Sequence, residues 1–562
     1  MKVLIIGGVA GGATAAARLR RLNEEAEIII IERTGFISYA NCGLPYYVGG
    51  IIQDKAALTL QTPESFWQRF RIDVRVHQEA TAIDPDQKTV TIHRLTDDTI
   101  YTESYDKLIL SPGAYAVKPS YPGVDLPQVF TLRTVEDTYR LRAYVAEQKP
   151  RSAVIIGGGF IGLETAENLI HAGLSVTLLQ RSAQIMPPYD PDMASFMTYY
   201  LATMGLNILF HQTVEGLEQT PAGIRILRKD DTPLETDLVL LAIGVAPDTH
   251  LAKAAGLALG QKDAIQVNEQ MQTSNPDIYA VGDAVEVTHF VTKKPTLISL
   301  AGPANKQGRI ATDAICGLPS RFTGSQGSSV IQLFAMTAAA TGINEKTAKA
   351  QGIPYEATVT YSANHATYYP GASNMTIKTL FDPETGRVLG AQIVGFEGVD
   401  KRIDVIATAI RAGMTSADLA ELDLAYAPPY SSAKDPVNMA GFVMENIRAG
   451  LVKQHQWYEV AALAKDPTAV LLDVRQDEEY AENHIPGAIH IPLDCLREHL
   501  VDLPKDKTIY VNCYSGLRSY LACRILSQHG FSCSNLAGGF RFYAFQTSQA
   551  SQTPRYPCGV RI

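Results

Sequence analysis

A β-rich run, Lys2–Gly7, turns through Gly7, Gly8, Gly11 and Gly12 into the helical pattern Ala13–Leu22 and returns as the strand-like Glu27–Ile31, which ends at Glu32. The same order recurs at Ser152–Ile156, which turns through Gly157, Gly158 and Gly159, continues as a helix from Ile161 to about Ala172 and resumes as the strand Ser175–Leu179. A strand delivered through glycines to a helix N-terminus leaves backbone N–H groups free to meet a diphosphate, because no side chain stands in the way. Two such βαβ openings in one chain predict an α/β fold with two nucleotide sites.

The two turns differ in detail. In the first, Val9 occupies the second glycine position of GxGxxG and Ala10 follows it, while Gly11 and Gly12 still allow close phosphate and helix packing; Glu32 can accept ribose hydroxyls. A distant partner is Thr273–Asp283, TSNPDIYAVGD, in which a strand delivers Gly282 and Asp283 to a turn where a carboxylate can hold a ribityl or ribose hydroxyl. In the second turn Gly157, Gly159 and Gly162 keep the full spacing, with Glu164 and Glu167 on the helix. Its following strand ends in Gln180 and Arg181 rather than in the acid that would repel a 2′-phosphate, so NADH and NADPH both stay open. Arg181 reads equally well as a solvated strand-end charge.

The chain has 562 residues, too many for one core, with 46% hydrophobic and 19% charged residues and a formal net charge of −9. That balance gives no basic field for a phosphate backbone, so no nucleic-acid partner is expected. No apolar run approaches the about 20 residues of a membrane helix, and the first residues enter a glycine turn without a basic and then apolar leader. A cytoplasmic protein with no membrane partner is the expectation. Seven cysteines (Cys42, Cys316, Cys495, Cys513, Cys523, Cys533 and Cys558) form an odd, sparse set without metal spacing, which argues against a disulfide scaffold or a metal site.

Pro/Gly turns at Ser111–Gly113 and Ala246–Asp248 close strands where ligand loops usually lie. From Val330 to about Met439 the pattern becomes β-rich with helices, including Met375–Phe381, Val388–Val394 and the helix-like Asp400–Ala412. Beyond Arg448–Gln456, Val470–Asp473 and Thr508–Asn512 look like buried parallel strands of a further αβ unit.

Cys42 lies in FISYANCGLPYYVGG, in a loop pattern rather than an apolar periodic one, as a poised thiol would. The glycine turn, Glu32, the YDKLILSPGA segment at 105–114 and the VGD segment resemble the FAD-binding half of the pyridine nucleotide-disulfide oxidoreductases, and the resemblance runs to about residue 440. Two-cysteine members carry CxxxxC, whereas here Tyr47 stands five residues after Cys42. One thiol must therefore cycle alone, as a mixed disulfide, a persulfide or a sulfenic acid.

SxxNCGLPY at Ser38–Tyr46, HATYYPGA at 365–372 and AYAPPYSSAKDPVNMAG at 425–441 resemble the coenzyme A-disulfide reductases in particular. The resemblance implies that Cys42 is the redox thiol, that Tyr368 and Tyr426 reach the thiolate from the partner subunit of a homodimer, and that Arg18, Arg21, Ser38, Asn41, Arg71, Asn305 and Lys434 surround coenzyme A. Arg18 and Arg21, three apart on the first helix, share one face suited to phosphate, although a plain solvated face explains them equally well. A tyrosine beside a thiolate can donate a hydrogen bond and return a proton to a departing thiolate.

VLLDVRQDEEYAENHIPGAIHIP at 470–492, VNCYSGLRSYLACRIL at 511–526 and the AGGF turn at 537–540 resemble a rhodanese domain. The Cys513–Arg518 loop follows a strand and precedes a helix, so its N–H groups and Arg518 can stabilise a thiolate or persulfide anion. With four residues between Cys513 and Arg518 the loop is smaller than that of a tyrosine phosphatase, which favours sulfur over phosphate. Cys523 in an apolar helix and Cys533 near a strand read as packing residues, and Cys558 as an exposed accessory thiol.

The architecture expected is α/β: two interleaved Rossmann-like nucleotide-binding domains, an α+β dimerisation domain and a C-terminal α/β rhodanese-like domain. The boundaries expected are 1–115 with 245–325 for FAD, 116–244 for NAD(P)H, 326–447 for dimerisation, 448–460 as linker and 461–562 for the rhodanese-like domain. The activity expected is reduction of small-molecule persulfides and disulfides, coenzyme A persulfide first, with FAD, NADH or NADPH, and coenzyme A. An oxidase or peroxidase cycling a Cys42 sulfenic acid, and a sulfur-carrier or redox-sensing module, are the alternatives.

Overall fold

A computed structural model describes residues 1–547, and Cys558 lies outside the described residues. The described chain divides into two compact units, residues 1–185 with 205–327 and residues 186–204 with 328 onward.

The first unit holds both nucleotide folds. One parallel sheet runs Ile278–Ala280, Lys107–Leu110, Lys2–Ile6, Glu27–Ile31, Asp73–Arg75. The other runs Asn207–Leu209, Ser175–Leu179, Ser152–Ile156, Leu238–Leu241, Val129–Phe130, again parallel. Their central strands are unbroken apolar runs because both faces are covered; Val3, Leu4, Ile5 and Leu238, Val239, Leu240 are fully buried. The helix Ala10–Leu22 follows the first strand and Phe160–His171 the strand at Ser152–Ile156, as the two glycine turns predict. The chain crosses between the folds at Ala114–Ala116 and Val245–Pro247, which pair antiparallel. These are the segments just after the Pro/Gly turn at Ser111–Gly113 and at Ala246–Asp248.

In the second unit an antiparallel sheet runs Ser329–Leu333, Met336–Gly342, Val388–Gly395, Asn374–Phe381, Glu356–Ala363, with the helices Val399–Ala412 and Pro436–Arg448 packed on it. The helix Pro191–Thr203 belongs with this sheet, although it lies between two strands of the second nucleotide fold in sequence. Its apolar face, with Met193, Phe196 and Met197, is buried, and a charge cluster joins it to the sheet. The fully buried Lys378 ammonium sits 3.2, 2.6 and 2.7 Å from Asp190, Asp192 and Glu345, two of them from the 186–204 segment.

The remaining fold is a parallel sheet in the order Gln454–His455, Ser532–Leu536, Thr508–Asn512, Ala469–Asp473, Ile489–His490. The helix Leu517–Gln528 packs behind it and buries Ala522, Cys523, Ile525 and Leu526. Cys523 is in that helix and Cys533 in the strand Ser532–Leu536, both in the apolar core that the sequence pattern assigns them.

Candidate active site

At the carboxyl ends of the first sheet's strands lies a cleft of about 530 Å³. Its first wall is the glycine turn. Gly7 has φ +96, and a Cβ there would fall 2.1 Å from the Ser111 carbonyl oxygen; a Cβ on Gly11 would meet Val281 at 2.8 Å and the Ser111 hydroxyl at 3.1 Å. Only a chain without side chains at these positions leaves the cradle open, and Val9 and Ala10 line it at the start of the helix. Gly8 donates its N–H to Glu32 Oε2 at 2.9 Å, and Thr34 donates its N–H and hydroxyl to Oε1. The Glu32 carboxylate is thus fixed at the strand end, facing the cleft.

The opposite wall is Gly282 and Asp283. Gly282 donates its N–H to Gln307 Oε1 at 2.7 Å, and Asp283 accepts from Arg133 at 3.0 Å. Burial pushes the Asp283 carboxyl up and the Arg133 guanidinium pulls it back. Arg133 was not legible in the sequence. The Thr134–Asp137 capping box marks the start of the helix Val135–Gln148, but nothing in that signal says which cleft the preceding residue faces.

Cys42 stands in the single turn Asn41–Gly43 on the rim of the same cleft, with Ser38, Asn41 and Asn305. The loop is anchored by the Ser38 N–H on the Gly8 carbonyl and the Ala40 N–H on the Leu58 carbonyl. Although the residue surface is exposed, its thiol is pushed up by desolvation inside the cleft, then by the charge of Glu164, with Arg133 opposing. Glu164 comes from the first turns of the helix Phe160–His171 in the second nucleotide fold. Its own carboxyl is pushed up to about 7 by burial and by Glu167, and Tyr46 donates a hydrogen bond to it. The sequence placed Glu164 on the nucleotide helix; its closeness to Cys42 appears only in three dimensions.

The second turn repeats the first with one change. Gly158 donates its N–H to Gln180 Oε1 at 2.8 Å, as Gly8 does to Glu32, and the Gln180 amide donates to Ser182 and to the Gln184 carbonyl. Gly157 and Gly162 make the close approach of strand and helix, Gly159 caps the helix, and Arg181 is exposed. The strand end therefore presents a neutral amide and a cation.

Of the residues that the resemblance ties to coenzyme A, Ser38, Asn41 and Asn305 line this cleft. Arg18 is ion-paired with Asp313 at 2.7 Å, and Arg21 is exposed on the same helix. Arg71 ends the helix Pro63–Phe70 in a left-handed conformation, its guanidinium 5.5 Å from the Trp67 ring. Lys434 is exposed in the second unit.

In that unit the Tyr368 and Tyr426 hydroxyls are 2.8 Å apart, with the side chains 74% and 47% exposed. The buried Arg402 joins their two loops, donating to the Asn364 carbonyl at 2.8 Å, the Ser431 hydroxyl at 3.1 Å and Asp435 at 3.0 Å. The helical pattern over 400–412 gave no sign of this link.

Cys513 is 1% exposed, and its sulfur accepts the Gly516 N–H at 3.1 Å and the Ser519 hydroxyl at 3.2 Å. Asn535 in the adjacent strand holds the Gly516 carbonyl at 3.1 Å. The AGGF turn closes over the loop: Phe540 donates its N–H to the Cys513 carbonyl at 2.7 Å, and a Cβ on Gly539 would lie 2.6 Å from that oxygen. Arg518 forms a two-pronged pair with Glu479 at 2.6 and 2.7 Å. Ser519 and Glu479 were not singled out from sequence.

Residues 1–308 match the pyridine nucleotide-disulphide oxidoreductase family, 329–436 its dimerisation domain and 456–544 the rhodanese-like domain. The coenzyme A disulfide reductase of Staphylococcus epidermidis is 34% identical over 442 residues, which are 78% of this chain and 99% of the relative. The crystal structure of reduced Bacillus anthracis CoADR-RHD is 48% identical over 98% of both chains, with a TM-score of 0.96. A NAD-dependent persulfide reductase from A. fulgidus is 38% identical over 97% of this chain and 100% of that one, with a TM-score of 0.89. The chain therefore belongs to the pyridine nucleotide-disulphide oxidoreductase family, with a rhodanese-like domain following its dimerisation domain.

Proposed function

We propose that the protein is an FAD-dependent, NAD(P)H-linked reductase of coenzyme A persulfide and coenzyme A disulfide that acts as a homodimer, with Cys42 as its redox thiol and Cys513 as a sulfane-sulfur carrier. The observation that carries this reading is Cys42 alone on the rim of the cleft walled by the open glycine cradle, Glu32 and Asp283. The cradle fits a dinucleotide, since a glycine turn at a helix N-terminus faces the cleft that the fixed carboxylates of Glu32 and Asp283 line. Bound FAD would supply the two-electron transfer between nicotinamide and sulfur. Gly157, Gly159 and Gly162 would seat the nicotinamide nucleotide, with Gln180 and Arg181 at its adenosine ribose.

Cys42 thiolate attacks the inner sulfur of a persulfide, expelling hydrosulfide and leaving a mixed disulfide; from a disulfide it expels the thiol instead. Ser38, Asn41 and Asn305 would hold the carrier at the rim. The partner subunit's Tyr426, hydrogen-bonded to the partner subunit's Tyr368, would return a proton to the departing coenzyme A thiolate. At Cys513, the Gly516 N–H and the Ser519 hydroxyl would stabilise thiolate and persulfide alike.

The test is consumption of NADH and of NADPH with coenzyme A persulfide and coenzyme A disulfide separately under anaerobic conditions, and with oxygen alone in an aerobic arm, in wild type, Cys42→Ser and Cys513→Ser. Hydrosulfide release that disappears in Cys42→Ser is the expected result. Turnover with oxygen alone overturns the reading in favour of an oxidase.

A further inference from the structure

The Cys513 loop carries one cation, Arg518, and that cation is already engaged. Its two terminal nitrogens donate to the two oxygens of Glu479 at 2.6 and 2.7 Å, a two-pronged pair in which each side chain is 29% exposed. Glu479 comes from another element, the helix Asp477–Glu482, where it also accepts the Gln476 N–H at 3.1 Å and so closes a capping box. The neighbouring cations are engaged too. Arg475 pairs with the buried Asp473 at 2.7 Å, and the buried Arg541 lies over the Tyr361 ring at 4.4 Å and 5.8 Å from that of Tyr514. Both groups that donate to the Cys513 sulfur, the Gly516 N–H and the Ser519 hydroxyl, are uncharged. Past Gly516 the surface turns apolar: Leu517 and Leu521, one helical turn apart, are well exposed.

We propose that Glu479 sets the sulfur-donor specificity of Cys513: by neutralising Arg518 it restricts the loop to organic persulfides and turns away the dianion thiosulfate. This rests on the reading of Cys513 as a sulfane-sulfur carrier, and it names the class of donor that loads it. The difference lies in charge. With a persulfide, the Cys513 thiolate attacks the outer sulfur of R–S–SH, and the electron pair of the broken S–S bond leaves on RS⁻. The product is Cys513–S–SH, so one negative charge enters and one leaves. With thiosulfate, the same attack on the outer sulfur gives Cys513–S–S⁻ and expels sulfite, a dianion. Three negative charges must then share a pocket in which Cys513 is 1% exposed. Uncharged hydrogen-bond donors hold one charge away from water, whereas three need unpaired cations. An arm without charge next to its sulfur, as in coenzyme A persulfide, suits the apolar surface of Leu517 and Leu521.

The experiment uses the full-length flavoprotein in a Cys42→Ser background, so that the thiol of the other site takes no sulfur. Coenzyme A persulfide or thiosulfate is the sulfur donor and cyanide the acceptor, which removes the outer sulfur from Cys513 as thiocyanate and restores the thiolate. The parent protein should use the persulfide in clear preference to thiosulfate. Glu479→Gln keeps the capping box, since glutamine serves at that position, and releases the guanidinium from its counter-charge. It should raise the thiosulfate-to-persulfide ratio of kcat/KM about tenfold or more, as one charge-assisted contact to the sulfonate allows. Adding Arg518→Gln should abolish that gain, which a purely structural role of Glu479 would not produce. Comparable kcat/KM for the two sulfur donors in the parent, or an unmoved ratio in Glu479→Gln, would overturn the proposal and leave Cys513 as the carrier. Persulfide transfer that survives Cys513→Ser would instead overturn the carrier reading and the proposal with it.

Discussion

The buried Ser519 hydroxyl donates to the Cys513 sulfur across 3.2 Å, on the same atom that accepts the Gly516 N–H. The first turn of a helix thus supplies both a backbone and a side-chain donor to one sulfur, in a pocket where a charge has little water to meet. A hydrogen bond to a charged group contributes about 1.5–3 kcal/mol. Ser519→Ala should slow sulfur transfer from Cys513 roughly tenfold or more at neutral pH. Stopped-flow transfer from a persulfide donor to cyanide checks this; an unchanged rate would show that the hydroxyl serves packing alone.

Glu164 sets the second prediction. With a carboxyl pushed up to about 7, it changes charge near neutrality, and its anionic form opposes ionisation of Cys42. Glu164→Gln should move the pH midpoint for alkylation of Cys42 by iodoacetamide downward. The effect should be seen chiefly above pH 7, where the native carboxylate is charged. No movement of the midpoint would separate the two groups.

Lys378 neutralises part of a cluster of three buried acids. Lys378→Met leaves them without their buried cation and should cost about 3–5 kcal/mol, read as a lower urea midpoint. Adding Asp192→Asn and Glu345→Gln should recover part of that loss, because the repulsion and the desolvation penalty leave with the charges.

His455 is held down to about 3 by burial, with Nδ1 on the Ser534 hydroxyl at 3.1 Å and its ring against Tyr510. Its unfolded value is about 6.5, so between these limits the unfolded chain binds a proton that the folded chain refuses. Stability is therefore complete above pH 6.5 and is lost on acidification, by up to about 1.4 kcal/mol per pH unit. Urea unfolding followed by Trp457 fluorescence in a Trp67→Phe background should show this slope, and His455→Asn should flatten it.

What could be read without the structure was what neighbours in sequence decide. The glycines of both turns, the strand that precedes each and the helix that follows are set by steric demands within about ten residues of chain. The same holds for the Cys513 loop between its strand and helix. The acid at the end of the second strand in the first fold, and its replacement by Gln180 in the second, were also legible, because the position is counted along the chain. The hydrogen bonds from Gly8 to Glu32 and from Gly158 to Gln180 are the geometry behind that count.

Tertiary structure decided the electrostatics. Arg133 on Asp283, Glu164 beside Cys42, Arg402 between the two tyrosine loops, and Lys378 among acids from Asp190 to Glu345 join residues far apart in sequence. A charged residue carries no periodic signal of its partner. Its energy depends on burial and on a distance of a few ångströms, which exist only once the sheets have stacked. The chain alone therefore determined where thiols and nucleotides could be held, and the packed structure determined which charges would tune them.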